Sequence, residues 1–231
     1  EFERILAAKE LALFKKYIQK RIEGFSAAAI IGKKEFMGLT LKVNEQVLIP
    51  RPDTETWLEK VIQYYRNETG LKVADLGTGS GAILVGFLYY CRDAVGVGID
   101  ISAEALKIAE ENGQNLKITD RVEWRQGDYL KAFDEEDIFD GIFSNPPYIP
   151  TKDIGGLPGE GKHEPRLALD GGTDGLYFYH LLAKGAAEHL KPGGFLAVEF
   201  GIGQATDILE MFQKSAQYED FEVIKDYGGI E

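Results

Sequence analysis

The chain has 231 residues, 44% hydrophobic and 28% charged, which describes one globular unit of ordinary composition rather than a disordered or fibrous chain. Its formal net charge of −12 opposes a surface that tracks phosphates, and no apolar run is long enough to span a bilayer. The single cysteine, Cys91, cannot form an internal disulfide or a zinc site on its own, and a reducing cytoplasm is the expected location.

Residues 2–22 place Ile5, Leu6, Leu13, Phe14, Tyr17 and Ile18 at helical spacing, with Gly24 as the stop. One or two helices cannot fold as a domain, so residues 1–35 read as a remnant or an appendage. Residues 36–50 read as a β-hairpin linker, with "LTLKV" and "QVLI" flanking a turn at "NE". Pro50 and Pro52 close it, and Asp53 or Thr54 caps the following helix. Residues 51–231 form the main domain.

From Gly70 onward strands and helices alternate. "KVADLG", "AVGVGID", "VEWRQGD", "FDGIFSN", "GGFLAVEFG" and "FEVIKD" read as strands, and helices fall between them. This pattern predicts an α/β fold, a mostly parallel sheet covered on both faces.

The turn after the first of these strands, "ADLGTGSGAI", runs from Asp75 through Gly77, Thr78, Gly79 and Ser80 to Gly81. Glycines there permit a tight turn and close approach of a ligand to the backbone. The third glycine comes one residue too early for a dinucleotide fingerprint, and the lysine of a P-loop is missing. Asp75 at the strand end suits a cationic ligand group better than a pyrophosphate. S-adenosylmethionine carries such a group, an α-amino next to a sulfonium, and its carboxylate can use loop N–H groups. Asp100 ends the second strand nineteen residues after Gly81, where an acid accepts from ribose hydroxyls. Asp128 and Tyr129 end the third, placed to accept from an adenine amino group and to lie on the adenine face.

"FSNPPYIP" ends the fourth strand. A residue before proline is held extended, so Pro147 helps fix Pro146, and Pro146 helps fix Asn145. The Asn145 side-chain oxygen and the Pro146 carbonyl are then two rigid acceptors, enough to bind both hydrogens of a planar –NH2 group. Tyr148 can pack on that group. An amide or aromatic amine has a delocalised, poorly nucleophilic lone pair. Two acceptors orient it and raise its electron density for attack on a sulfonium methyl, without a strong base. The motif by itself leaves open whether the acceptor is an amide or an adenine.

Together with "EFMGLTLKVNEQVLIPRPDTE", "DLGTGSGAI", "GIDIS" and "HEPRLALDGGTDGLYFY", these residues give a chain that resembles the HemK/PrmC family of protein-(glutamine-N5) methyltransferases, which modify peptide chain release factors. The resemblance covers nearly the whole chain, and "LIPRPDTE" and "EPRLALDGG" are its most specific segments. It implies a Rossmann-like class I methyltransferase domain behind a hairpin linker and an N-terminal helical, substrate-binding domain, of which residues 1–35 would be the C-terminal part. It also implies S-adenosyl-L-methionine as cofactor, S-adenosyl-L-homocysteine as product and no metal. The implied acceptor is the glutamine of a Gly-Gly-Gln loop. By the resemblance, Gly77–Gly81, Asp100, Tyr129 and Asn145 touch cofactor, and Asn145, Pro146, Pro147 and Tyr148 form the glutamine site. The chain departs from the family pattern at "FSAAAIIG", at Tyr129, where family members often carry Trp, Leu or Phe, at the short "LPGEGKHEP" and at the end "DYGGIE". The competing reading is an N6-adenine methyltransferase acting on DNA or RNA. The acidic balance disfavours it, so no direct nucleic-acid or membrane partner is expected. A non-catalytic binding module is the remaining alternative, disfavoured by the intact Asn145 and glycine turn.

Overall fold

The computed structural model describes residues 4–157 and 159–230, so the first residues of the expected N-terminal helix lie outside it. Helix α1 (Ala8–Glu23) stops at Gly24, whose φ of +103° closes the last turn through a bond to the Arg21 carbonyl. None of its residues is buried, and Leu11, Phe14, Ile18 and Ile22 stay exposed. A short helix, α2 (Ala27–Ile31), is capped by the Ser26 hydroxyl, which accepts from the Ala29 N–H.

The hairpin is real but shifted toward the N-terminus. Its strands are β1 (Lys33–Phe36) and β2 (Leu39–Lys42), antiparallel, with Phe36 opposite Leu39. The turn is Met37–Gly38, both at positive φ, as a two-residue hairpin turn of matching twist requires. The expected turn at "NE" is a local loop instead, because the Asn44 side chain accepts from the Gln46 N–H. "QVLI" forms no strand; Val47 and Ile49 pack on Ala105 and Ile108.

Helix α3 (Pro52–Tyr65) begins at proline with Arg51 at the N-cap, so neither Asp53 nor Thr54 is the cap. The main sheet follows: β3 (Lys72–Leu76), β4 (Val95–Asp100), β5 (Val122–Gln126), β6 (Phe139–Ser144) and β7 (Leu190–Val198). The helices between and after them are α4 (Ala82–Tyr90), α5 (Ala103–Asn115), α6 (Tyr177–Gly185) and α7 (Ala205–Ser215). All the strands of this sheet are parallel, in the order β5-β4-β3-β6-β7.

Period-two alternation divides the core. Val73 and Phe143 point to the face covered by α3 and α4, with Trp57, Leu58, Leu84 and Phe87. Ala74, Leu76 and Ile142 point to the other, with Tyr179 and Leu182 of α6 and Ile208 and Phe212 of α7. The expected closing strand "FEVIKD" does not join the sheet. Glu222 instead engages Lys60 and Tyr64 of α3, and Ile224 packs against the α3–α4 core.

One polar tie fastens this frame. The Asp137 carboxylate accepts from Arg125 of β5 (2.5 Å), Lys72 of β3 (3.1 Å) and the Asp134 N–H (3.1 Å). Burial alone would raise its pKa, but these donors together bring it down to about 2. A carboxyl held below its unfolded value contributes stability above that value and loses it as pH falls through the folded one. Asp137→Asn is therefore expected to cost about 2 kcal/mol at neutral pH in urea unfolding, with the difference shrinking between about pH 4 and pH 2. An unchanged midpoint at pH 7 would contradict this.

Candidate active site

The chain runs outward from β3 to β4 and β5 on one side, then returns to β6 and β7 on the other. The carboxyl ends of β3 and β6 therefore flank the crevice where the strand order reverses, the usual ligand position in such sheets. Leu76 pairs with Ser144 across it, and Asp75 and Asn145 stand at its two walls.

On the β3 side, Gly77, Gly79 and Gly81 all take positive φ, and Gly81 opens α4. Asp75 is fully buried. Its Oδ2 accepts from the Thr78 hydroxyl at 2.6 Å, while Oδ1 has no hydrogen-bond partner among the described residues. Burial pushes its pKa up to about 7, against the pull of the Thr78 hydroxyl. Asp100 accepts from the Gly79 N–H (2.8 Å) and the Ser102 N–H (2.9 Å), and burial raises its pKa as well. Ser80 is buried, and its carbonyl accepts from Asn112, which also ties this turn to Lys42 of the hairpin.

The N–H groups of Gly77, Thr78, Gly79 and Gly81 are all engaged within the protein. The unpartnered Asp75 oxygen and the neighbouring acid Asp100 fit a ligand with an ammonium and hydroxyls. A cation placed there also restores the charge that burial disfavours.

Two residues expected to contact cofactor are engaged by protein groups. Asp128 is exposed and pairs with Lys131 at 2.5 Å, so it is not held toward the crevice. Tyr129 has a φ of +56° and is buried under the loop, with its ring near Gly77 and against Phe178. Its hydroxyl bonds to the Ser144 Oγ at 2.7 Å, and that Oγ donates to the Leu76 carbonyl. The ring therefore forms part of the floor of the site.

On the β6 side, Pro146 and Pro147 are buried, and Asn145 and Tyr148 are half-buried. The Asn145 Oδ1 is a buried acceptor with no partner among the described residues. Its Nδ2 donates to the Thr54 hydroxyl at 3.5 Å. Thr54 in turn donates to Glu199, just beyond β7, at 2.6 Å, and Trp57 Nε1 donates to the same carboxylate oxygen at 3.1 Å.

The loop after Asn145 is held from two further segments. Gln204 Nε2 donates to the Tyr148 carbonyl at 3.1 Å. Ile149 pairs with Asp170 in a short parallel bridge, with Ile149 N–H to Leu169 O and Gly171 N–H to Ile149 O. The two segments that carry the family resemblance also meet each other. Arg51 of "LIPRPDTE" grips Glu164 of "HEPRLALDGG" through both carboxylate oxygens, at 2.7 and 2.6 Å. Glu164 is nearly buried, which raises its pKa against the opposing charge of Arg51.

These segments enclose a cavity of about 240 Å³ beside the motif, lined by Leu48, Arg51, Asn145, Tyr148, Leu157 and Glu164 among others. Thr54, Trp57, Glu199, Gln204 and the Arg51–Glu164 pair were not singled out by the sequence as site residues. The available signal was Glu199, an acid at a strand end like Asp75 and Asp100.

Among the described residues no cluster of His, Cys, Asp and Glu could hold a metal ion, and no helix is long and apolar enough to cross a membrane.

Residues 67–199 match a family model described as a methyltransferase domain. A methyltransferase structure from Pyrococcus furiosus superposes with a TM-score of 0.56 at 22% identity, covering 85% of this chain and 86% of that one. One from Agrobacterium tumefaciens gives 0.55 at 16% identity, covering 79% and 57%. Sheet order, glycine turn and family match define an α/β methyltransferase of the class I fold. Within that class, the protein named release factor glutamine methyltransferase from Bradyrhizobium diazoefficiens is 42% identical over 98% of this chain and 77% of its own length. Its namesake from Moorella thermoacetica is 40% identical over 98% and 80%. The chain belongs to the release factor glutamine methyltransferase family.

Proposed function

We propose that this chain methylates the side-chain amide nitrogen, N5, of the glutamine in the Gly-Gly-Gln motif of peptide chain release factors. The methyl donor is S-adenosyl-L-methionine, and the work is done in the cytoplasm. The observation that carries the chemistry is the Asn145 Oδ1, a buried acceptor with no donor among the described residues, on a side chain that lines the cavity beside β6. A buried acceptor of this kind is costly unless a ligand satisfies it.

Bound S-adenosylmethionine supplies an electrophilic methyl on sulfur and leaves as S-adenosyl-L-homocysteine. The chain's own groups do the rest by placement. Asn145 Oδ1 and the Pro146 carbonyl accept the two N–H groups of the glutamine amide, which fixes the direction of its nitrogen lone pair. Leu48 and Leu157 offer apolar surface to the glutamine methylenes, and Tyr148 covers the amide plane. Asp75 and Asp100 hold the cationic and hydroxyl parts of the cofactor. The methylated nitrogen is cationic and strongly acidic, and it gives up one proton to water after transfer, so no strong base is needed.

The test is transfer of labelled methyl from S-adenosylmethionine to a purified release factor, run beside double-stranded and single-stranded DNA. Label is expected on the protein alone, with no salt-sensitive retention on heparin. Label on adenine would support the N6-adenine reading instead.

A further inference from the structure

We propose that Thr54 and Glu199 decide which way the Asn145 amide faces, and are positioning residues for methyl transfer. The proposal rests on the reading above, in which Asn145 Oδ1 accepts from the acceptor amide. An asparagine amide is nearly symmetric in shape, with an acceptor at one end and two donors at the other. Only its neighbours fix the orientation.

Here the neighbours fix it by proton count. Thr54 has one hydroxyl proton and gives it to Glu199 Oε2 at 2.6 Å. Toward Asn145, at 3.5 Å, that hydroxyl can therefore only accept. Glu199 is held in place by the Trp57 N–H on the same oxygen, and its backbone carbonyl accepts from the Tyr179 hydroxyl at 2.7 Å. An ionised carboxylate has no proton to return. The chain of bonds runs one way, from Asn145 N–H to Thr54 to Glu199, and leaves Oδ1 as the end of the amide without a partner. The flipped amide would set its –NH2 against the –NH2 of the substrate, and its oxygen against a hydroxyl whose proton is committed elsewhere.

Glu199 faces Asp53 on α3 and the hydroxyls of Tyr148 and Tyr179. Burial raises its pKa, opposed by the bonds from Thr54 and Trp57. As pH falls, Glu199 gains a proton and the direction of the chain is no longer enforced. The kcat is expected to drop on the acid side, above the pH where an ordinary exposed carboxylate titrates.

The decisive experiment compares Thr54→Val, Thr54→Ser, Glu199→Gln and Asn145→Ala in the whole protein, with release factor as acceptor. Thr54→Val keeps the shape and removes the hydroxyl. It is expected to lower kcat by about 10- to 100-fold, with calorimetric binding of S-adenosylmethionine unchanged. Thr54→Ser restores the hydroxyl and is expected to recover kcat to within about threefold of the parent, as retained hydrogen bonding implies. Glu199→Gln is expected to lower kcat and to flatten the acid limb. In protein without cofactor, cross-peaks between the Asn145 –NH2 protons and the Thr54 methyl, present in the parent, are expected to weaken in Glu199→Gln. If Thr54→Val fails to fold by thermal melting, Glu199→Gln decides by its pH profile and cross-peaks. Parent-like kcat in Thr54→Val, or an unaltered acid limb in Glu199→Gln, would overturn the proposal. Asn145→Ala separates the two levels. Should that variant turn over normally, the acceptor reading itself fails. If it is dead while Thr54→Val is normal, only the orientation proposal fails.

Discussion

Asn145→Ala is expected to lower kcat by about 10²- to 10³-fold, the scale for removing one preorganised polar group at a reacting centre. Binding of S-adenosylmethionine, measured by calorimetry, is expected to weaken by no more than about tenfold, the equivalent of one modest contact. The asymmetry follows from where the groups sit. Asp75, Asp100 and the glycine turn belong to β3, β4 and the start of α4, and none of them bonds to Asn145. Asn145 is tied instead to α3 and Glu199. Losing its side chain removes an acceptor for the reacting amide and leaves the cofactor wall standing. Turnover within a few-fold of the parent would mean that the amide is oriented by some other group.

The second large effect is expected at Gly175, outside the motif. Its φ is +80°, and a Cβ there would lie 2.3 Å from the Tyr148 carbonyl oxygen and 2.8 Å from Gln204 Nε2. The nearest atom is backbone and cannot swing aside as a side chain could. The loop carrying Tyr148 must shift, and the Gln204 bond to that same carbonyl goes with it. Gly175→Ala is expected to cost roughly 2–4 kcal/mol of stability and to lower turnover of what remains folded. Gly70 is the control. It has a φ of +70° with nothing near a built Cβ, so Gly70→Ala reports the backbone strain alone, about 1 kcal/mol. Equal destabilisation in the two variants would remove the close approach from the account.

The parallel sheet, its glycine turn and the placing of Asn145 at a strand end were all readable as local pattern. Period two and strand-end chemistry are properties of a few consecutive residues. The hairpin shows the limit of that reading. "LTLKV" and "QVLI" have similar strand character, and the choice of turn rested on Met37 accepting positive φ beside Gly38, which propensity does not favour. The tail "FEVIKD" has strand composition too, but an edge position beside β7 competes with docking on α3, and α3 wins through Lys60 and Tyr64.

The burial of Tyr129 was not legible for a related reason. Its position in sequence put it at the crevice, while a positive φ turned the ring beneath the loop. The support of the motif was the least legible part. Thr54 and Glu199 lie on opposite sides of the whole sheet in sequence, and no spacing rule joins them. Thr54 read as a helix cap because threonine before an apolar run usually is one. Yet "LIPRPDTE" and "EPRLALDGG", which entered as marks of resemblance, now have a physical role. One supplies Arg51 and Thr54, the other Glu164 and the strand-like grip on Ile149. Together they hold the asparagine loop and build the cavity beside it.

The most direct measurement is labelled methyl transfer to a release factor and to the same factor with its Gly-Gly-Gln glutamine replaced by alanine, with the modified residue located by mass spectrometry. Label on the glutamine of the first protein and none on the second is the predicted result. Equal labelling of both would contradict the assignment of that side-chain amide as the acceptor.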